Sequence, residues 1–137
     1  LLIIGGLLAA PKVLEWIGKA TKFIVGKLGK DESQAAQNIT KFAHKWEGFY
    51  VGSIEKVIKA TGVAKSVWKN EDGPIDSDKL HTTAKVLYAV ILAVAAGYAV
   101  NGVLSSNSAV IKAIESAIGG VKGVEIAQIA SKIKSSL

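Results

Sequence analysis

The side chains best suited to acid–base chemistry or metal binding are two histidines, His44 and His81, which lie on different segments of the chain. The sequence has no cysteine, so it offers neither a thiolate ligand for zinc nor a disulfide framework. It also lacks an H-E-x-x-H pair, a phosphate-binding loop and a G-x-S-x-G nucleophile motif. These absences predict a protein that is not an enzyme and that binds no metal or cofactor.

Carboxylates are concentrated in the segment at residues 70–78. Their oxygens are of the type that Ca²⁺ binds, but the ligand order of an EF-hand loop is missing. Because Gly73 and Pro74 favour a turn, we interpret the segment as a solvated loop that ends in a helix N-cap at Asp76 or Ser77. The loop divides the chain into an N-terminal region, 1–69, and a C-terminal region, 79–137, and its acidic residues are Glu71, Asp72, Asp76 and Asp78.

The 17 basic residues are all lysines and give a formal net charge of +6. Arginine, absent here, is the residue that binds phosphate and guanine through two parallel hydrogen bonds. Lysines alone favour diffuse attraction to a polyanion, either lipid headgroups or a nucleic-acid backbone, and they also keep apolar helices soluble. We therefore predict contact with a lipid membrane and no sequence-specific binding of nucleic acid.

The segment at residues 86–104 contains no charged side chain. A helix of this length, at 1.5 Å per residue, roughly matches the ~30 Å hydrocarbon core of a bilayer. We predict that the segment spans a membrane, and the alternative is the central helix of a soluble bundle. The predicted membrane-spanning residues are Val86, Leu87, Val90, Ile91, Leu92, Val94, Val100, Val103 and Leu104.

The N-terminal region begins with ten uncharged residues, which suit either an apolar tip that enters a membrane or a buried terminal arm. At residues 11–28, apolar residues recur at spacings of three and four with lysines opposite them, as in an interfacial helix. On this interpretation Lys12, Lys19 and Lys22 contact lipid headgroups. A helix of a soluble bundle has the same periodicity.

A second amphipathic helix is predicted to follow Asp31, which forms a capping box with Gln34. Trp46, Phe49 and Tyr50 form an aromatic cluster in this helix, with lysines nearby. Such a cluster suits a headgroup interface or an aromatic core. We predict that the three rings contact a protein partner. The apolar stripe of the helix is predicted to include Ala35, Ile39, Phe42, Trp46 and Phe49.

Helical spacing of apolar residues continues through the C-terminal tail at residues 125–137. The predicted fold is therefore all-α, with one membrane-spanning helix, several amphipathic helices and no sheet.

In character the chain resembles the small internal-membrane proteins of icosahedral, lipid-containing bacteriophages of the corticovirus type. The shared features are a lysine-only, cysteine-free helical chain, one alanine- and valine-rich span at residues 86–104, and amphipathic segments at residues 11–28 and 125–137. The resemblance implies a structural protein of the virion's internal membrane that links the lipid to the capsid. The implied partners are the membrane and capsid or other membrane-complex proteins, and an oligomer is compatible with this role.

Two other functions are compatible with the same residues. A membrane-active polypeptide, either pore-forming or ejected from a virion, would use the apolar run and the lysine-striped helices to enter a bilayer. A soluble helical interaction module would instead bury the apolar run in its core. The acidic loop and the polar surface of residues 34–69 favour a fixed place in an assembly over a simple lytic peptide.

Overall fold

The computed structural model describes residues 15, 18–19, 22–28, 31–60, 77–100, 105, 107–119 and 121–136. Regular structure in these residues is helical throughout, which confirms the predicted all-α class. Residues 15, 18–19 and 22–25 are helical and come first. We label the helices that follow α1 (Glu32–Ala60), α2 (Ser77–Val100), α3 (Ala109–Ala117) and α4 (Gly123–Ser136).

Several sequence predictions fall on residues outside the described ranges. They are the apolar arm at residues 1–10, the headgroup contact of Lys12, the acidic loop at residues 70–76, and the membrane-spanning positions Val103 and Leu104. These stay predictions.

Helix α1 begins where its sequence predicts. The Asp31 carboxylate accepts a hydrogen bond from the Gln34 backbone N–H at 2.7 Å, which satisfies one of the donors left open at a helix N-terminus. The helix then continues for 29 residues, about 43 Å. Its buried side chains form one stripe along the helix, made of Ala35, Ile39, Ala43, Tyr50, Val51, Ile54 and Ile58.

Helix α2 begins at Ser77 and has no polar face along most of its length. Every residue from 86 to 96 is buried, with at most 7% of its surface exposed. A helix that lay on the surface of a bundle would expose one side to water in each turn. The continuous burial therefore means that other parts of the chain cover α2 on all sides.

Carboxylates connect the beginnings of the shorter helices to the rest of the chain. Ser108 caps α3 with its own hydroxyl, and the Glu32 carboxylate accepts a hydrogen bond from the Ala109 N–H at 2.9 Å. The Glu115 carboxylate accepts one from the Gly123 N–H at 2.8 Å, at the start of α4. A Cβ atom at position 123 would collide with the Glu115 carboxylate, so a larger residue there would displace this flexible side chain and weaken its hydrogen bond.

The core is one apolar cluster with α2 at its centre. Helix α2 packs against α1, α3 and α4, and α3 also packs against α1 and α4. Ile24 and Leu28, which precede α1, belong to the same cluster. The covering helices are amphipathic and expose lysines on their outer sides, among them Lys41 and Lys112.

Candidate membrane-contact elements

Among the described residues, α2 is the one helix long and apolar enough to cross a bilayer. The qualifying part, Leu80–Val100, has 21 residues and a mean hydropathy of 1.8. Its most apolar stretch is also 78% buried inside the folded chain, as expected for the core helix of a soluble protein. The same helix therefore meets the length requirement of a membrane span and the packing requirement of a core.

The folded arrangement and a membrane-spanning arrangement exclude each other. Helix α1 packs against α2 and exposes Lys41 and Lys45 on its outer side. If α2 crossed a bilayer in this arrangement, those ammonium groups would lie in hydrocarbon, where each costs roughly 3 kcal/mol on insertion scales. Helix α2 can therefore span a membrane only after the helices that cover it have moved away.

The contact between α1 and α2 is antiparallel and is fixed by Tyr88. The Tyr88 hydroxyl donates a hydrogen bond to the backbone carbonyl of Ala43 at 3.2 Å, in the first half of α1. Its ring stacks on that of Tyr50, with centroids 5.5 Å apart and planes 10° apart. Farther along α1, Glu55 contacts His81, near the start of α2. In the sequence Tyr88 is an aromatic residue near one end of the charge-free segment at 86–104, and nothing local predicts its partners in α1.

Tyr50 belongs to the core of the protein, contrary to the prediction that it contacts a partner. Only 7% of its surface is exposed, because its ring lies between α1 and Tyr88. Burial also raises the pKa of the Tyr50 phenol, since the charged phenolate is poorly solvated there. Of the three predicted partner contacts, Trp46 and Phe49 are the two with substantial exposure.

Four rings of α1, those of Phe42, Trp46, Phe49 and Tyr50, form one cluster between the core and the surface. The centroids of Phe42 and Tyr50 are 5.9 Å apart, those of Phe49 and Tyr50 5.4 Å, and those of Trp46 and Phe49 6.1 Å. Offset and edge contacts at these distances stabilise aromatic pairs. Two rings of the cluster contact solvent, because Phe49 is 64% exposed and Trp46 is 39% exposed.

Lysines flank the exposed side of this aromatic cluster. The Lys45 ammonium lies 5.5 Å from the centroid of the Trp46 ring, within range of a cation–π interaction. We call this surface the aromatic–lysine edge and define it by the exposed residues Lys41, Lys45, Trp46, Phe49 and Lys56.

A second exposed aromatic–lysine pair precedes α1. Phe23 is 61% exposed, and the Lys27 ammonium lies 5.8 Å from its ring centroid. Lys22 is exposed beside it, and Lys19 is exposed and forms an ion pair with Glu15 at 3.0 Å. The structure therefore places Lys19 and Lys22, two of the three predicted headgroup contacts, on the surface.

A groove of about 470 Å³ lies between α1 and α2. Within it the Nδ1 atom of His81 lies 2.8 Å from a carboxylate oxygen of Glu55. A Cβ atom at Gly48 or Gly52 would meet nothing within 4 Å, so these glycines leave the groove open instead of bringing helices together. The described lining residues are Glu47, Gly48, Val51, Gly52, Glu55, His81 and Lys85.

Among its described lining residues, the groove brings together one histidine, two glutamates and one lysine. Its histidine–carboxylate pair has no hydroxyl or thiol nucleophile among the described lining residues. In the described part of the chain, no group of three or more histidine or carboxylate side chains converges on a point where a metal ion could bind. The pair of His81 and Glu55 instead joins α1 to α2.

Comparison with protein-family models, with curated proteins and with solved structures found no match to this chain.

Proposed function

We propose that this protein is a non-enzymatic, membrane-associated structural protein that keeps an anchor helix, α2, buried in a water-compatible bundle. The observation that carries the proposal is the continuous burial of residues 86–96 within a helix of membrane-spanning length. Between residues 86 and 96 the surface of α2 is apolar except for the Tyr88 hydroxyl, so lipid chains can replace the covering helices with the loss of one side-chain hydrogen bond.

The covering helices can lie on the membrane surface once they leave α2. Helix α1 has an apolar stripe on one side and exposed lysines on another, the arrangement of a helix that lies in the plane of a bilayer interface. Lipid chains are about as apolar as leucine, so the apolar contacts of α2 lose little when lipid replaces protein. A membrane can therefore replace the apolar contacts that α2 loses when the bundle opens.

An anchor explains α2 better than a pore does. Between residues 86 and 100 the helix has no Asp, Glu, Lys, Arg or His, so it has no polar side to face a water-filled channel. We therefore propose attachment to a membrane and not lysis. The resemblance in character to phage internal-membrane proteins supports a finer proposal, that the anchored chain links a virion membrane to its protein shell.

One alternative has a specific observation in its favour. The burial of α2 is also what a soluble helical interaction module requires of its core helix. In that case the folded bundle would be the only state of the protein, and α2 would never contact lipid.

Flotation with liposomes, combined with a photoactivatable phospholipid that carries a diazirine on its acyl chain, separates these functions. We expect the full-length chain to float with the vesicles and to be cross-linked within residues 86–100. Dye-loaded vesicles should keep their contents.

Three results contradict this expectation. A chain that stays at the bottom of the gradient without cross-links is a soluble module. Rapid dye release at a low protein-to-lipid ratio indicates a pore-forming polypeptide. Flotation with cross-links confined to α1 shows a peripheral protein whose α2 stays inside the bundle.

A further inference from the structure

We infer that the aromatic–lysine edge of α1 docks the folded protein onto anionic lipid headgroups before α2 leaves the core. This inference rests on the proposed function, because it assigns the first contact with the same membrane. It also reassigns Trp46 and Phe49 from a protein partner to lipid.

The residues of the edge lie on one side of α1. Lys41, Lys45 and Phe49 follow one another at intervals of four, and Lys56 lies seven residues, about two turns, beyond Phe49. Trp46 lies beside them and contacts Phe49. The edge is therefore a strip of three positive charges with two exposed aromatic rings.

Acidic side chains of α1 lie away from this strip. Glu47 and Glu55 are half-buried and line the groove that faces α2, and Glu55 contacts His81 there. The positive charge of the strip is therefore not neutralised by neighbouring carboxylates of its own helix. An anionic surface approaching from solvent meets the lysines first, at a range of about 10 Å in 0.1 M salt.

The aromatic residues suit the boundary between the lipid headgroups and the hydrocarbon. Tryptophan is enriched at the level of the headgroups because its ring is apolar with one N–H donor. Lysine side chains keep their ammonium groups in the headgroup layer while their methylene stems contact apolar material. Exposed Phe49, between Lys45 and Lys56 along the strip, is then the ring that reaches deepest into the interface.

A lipid surface suits this chemistry better than a shaped protein partner. Protein interfaces are enriched in arginine and in rings enclosed by a pocket, whereas the edge has lysines and open rings. The same pairing of a lysine with an exposed ring recurs at Lys27 and Phe23, on a separate part of the chain. A fluid anionic surface can accept both pairs without a fixed geometry between them.

The test measures binding of the full-length chain to vesicles of phosphatidylglycerol and phosphatidylcholine, with Lys45→Gln, Lys56→Gln and Phe49→Ala. Each lysine variant should bind about fivefold more weakly at low salt, since a lysine near an anionic surface contributes ~1 kcal/mol, and the difference should shrink as salt is added. Phe49→Ala should weaken binding at all salt concentrations. The matched controls are Lys112→Gln and Val124→Ala, exposed residues of α3 and α4, which should bind within about twofold of wild type.

The outcomes distinguish this inference from the proposed function. If all variants bind like wild type and α2 still cross-links to acyl chains, the docking surface is wrong and the anchor proposal stands. If wild type binds no vesicle, both are wrong. If wild type sediments as a dimer that Phe49→Ala converts to a monomer, the edge is a contact between two copies of the chain. Far-UV circular dichroism of each variant verifies that the fold is retained.

Discussion

Helices α1 and α2 pack against each other but relate to solvent in opposite ways. Along α1, buried residues alternate with exposed ones in the helical period, so one side contacts the core and another contacts water. Along α2, burial is continuous from residue 86 to residue 96. Helix α1 is covered on one side only, by α2 and α3, whereas α2 requires neighbours all around it.

The difference shows why a membrane span and a core helix have similar sequences. Both must be apolar on all sides, and the decision between them depends on the rest of the chain. Here α1, α3 and α4 all contact α2, so the folded chain supplies the cover that a bilayer would otherwise supply. The sequence of α2 alone contains no information about how many helices surround it.

The difference in burial between α1 and α2 is tested most directly by placing one carboxylate on each helix. Ala93→Asp puts an unpaired charge at a fully buried position of α2 and should cost about 5 kcal/mol, close to the whole stability of a small domain. Gln37→Asp, on the exposed side of α1, should change stability by less than about 0.5 kcal/mol. Urea denaturation followed by circular dichroism measures both. A folded Ala93→Asp protein of near-normal stability would show that α2 is not enclosed.

Tyr88 tests the contact that joins the two helices. Tyr88→Phe removes the hydrogen bond to the Ala43 carbonyl but keeps the ring stacked on Tyr50, so it should cost about 1 kcal/mol. Tyr88→Ala also removes the ring and should cost about 3 kcal/mol or more. The same denaturation experiment gives both values. Equal losses for the two variants would mean that the hydroxyl, and not the stacked ring, supports the contact.

The smallest effect is expected at the solvent-exposed end of the same contact. Glu55 and His81 join α1 to α2, but their side chains are 28% and 55% exposed. A double-mutant cycle with Glu55→Ala and His81→Ala should give a coupling free energy of about 0.5 kcal/mol at neutral pH. A coupling above about 2 kcal/mol would instead place the dominant α1–α2 interaction in the groove.

Local signals in the sequence were sufficient for the fold class and for the beginnings of two helices. Asp31 caps α1 as predicted, and α2 begins at Ser77, within one residue of the predicted cap positions. Both predictions depend on residues close together in the chain, where capping chemistry is local. The apolar run of α2 was likewise evident, because it needs only a count of charged residues.

Contacts between distant residues account for what the sequence did not reveal. The predicted stripe of α1 is correct at Ala35 and Ile39, which are fully buried, but it continues to Trp46 and Phe49, which are exposed. From residue 43 onward the structure buries the adjacent stripe, with Ala43, Tyr50 and Ile54, because that is the side on which Tyr88 and the rest of α2 dock. Nothing in the spacing of α1 alone distinguishes the two stripes, so the sequence predicts the same partner contact for buried Tyr50 as for exposed Trp46.

The continuous burial of α2 has a consequence for how this sequence can change over time. In α1, tolerated substitutions should recur with a period of three to four residues, because exposed positions alternate with buried ones. In α2 that periodicity should be absent from residue 86 to residue 96, because every position there is buried and favours apolar residues of suitable volume. Lineages of this protein should therefore drift among alanine, valine, leucine and isoleucine in α2 while its neighbours acquire polar changes on one side only.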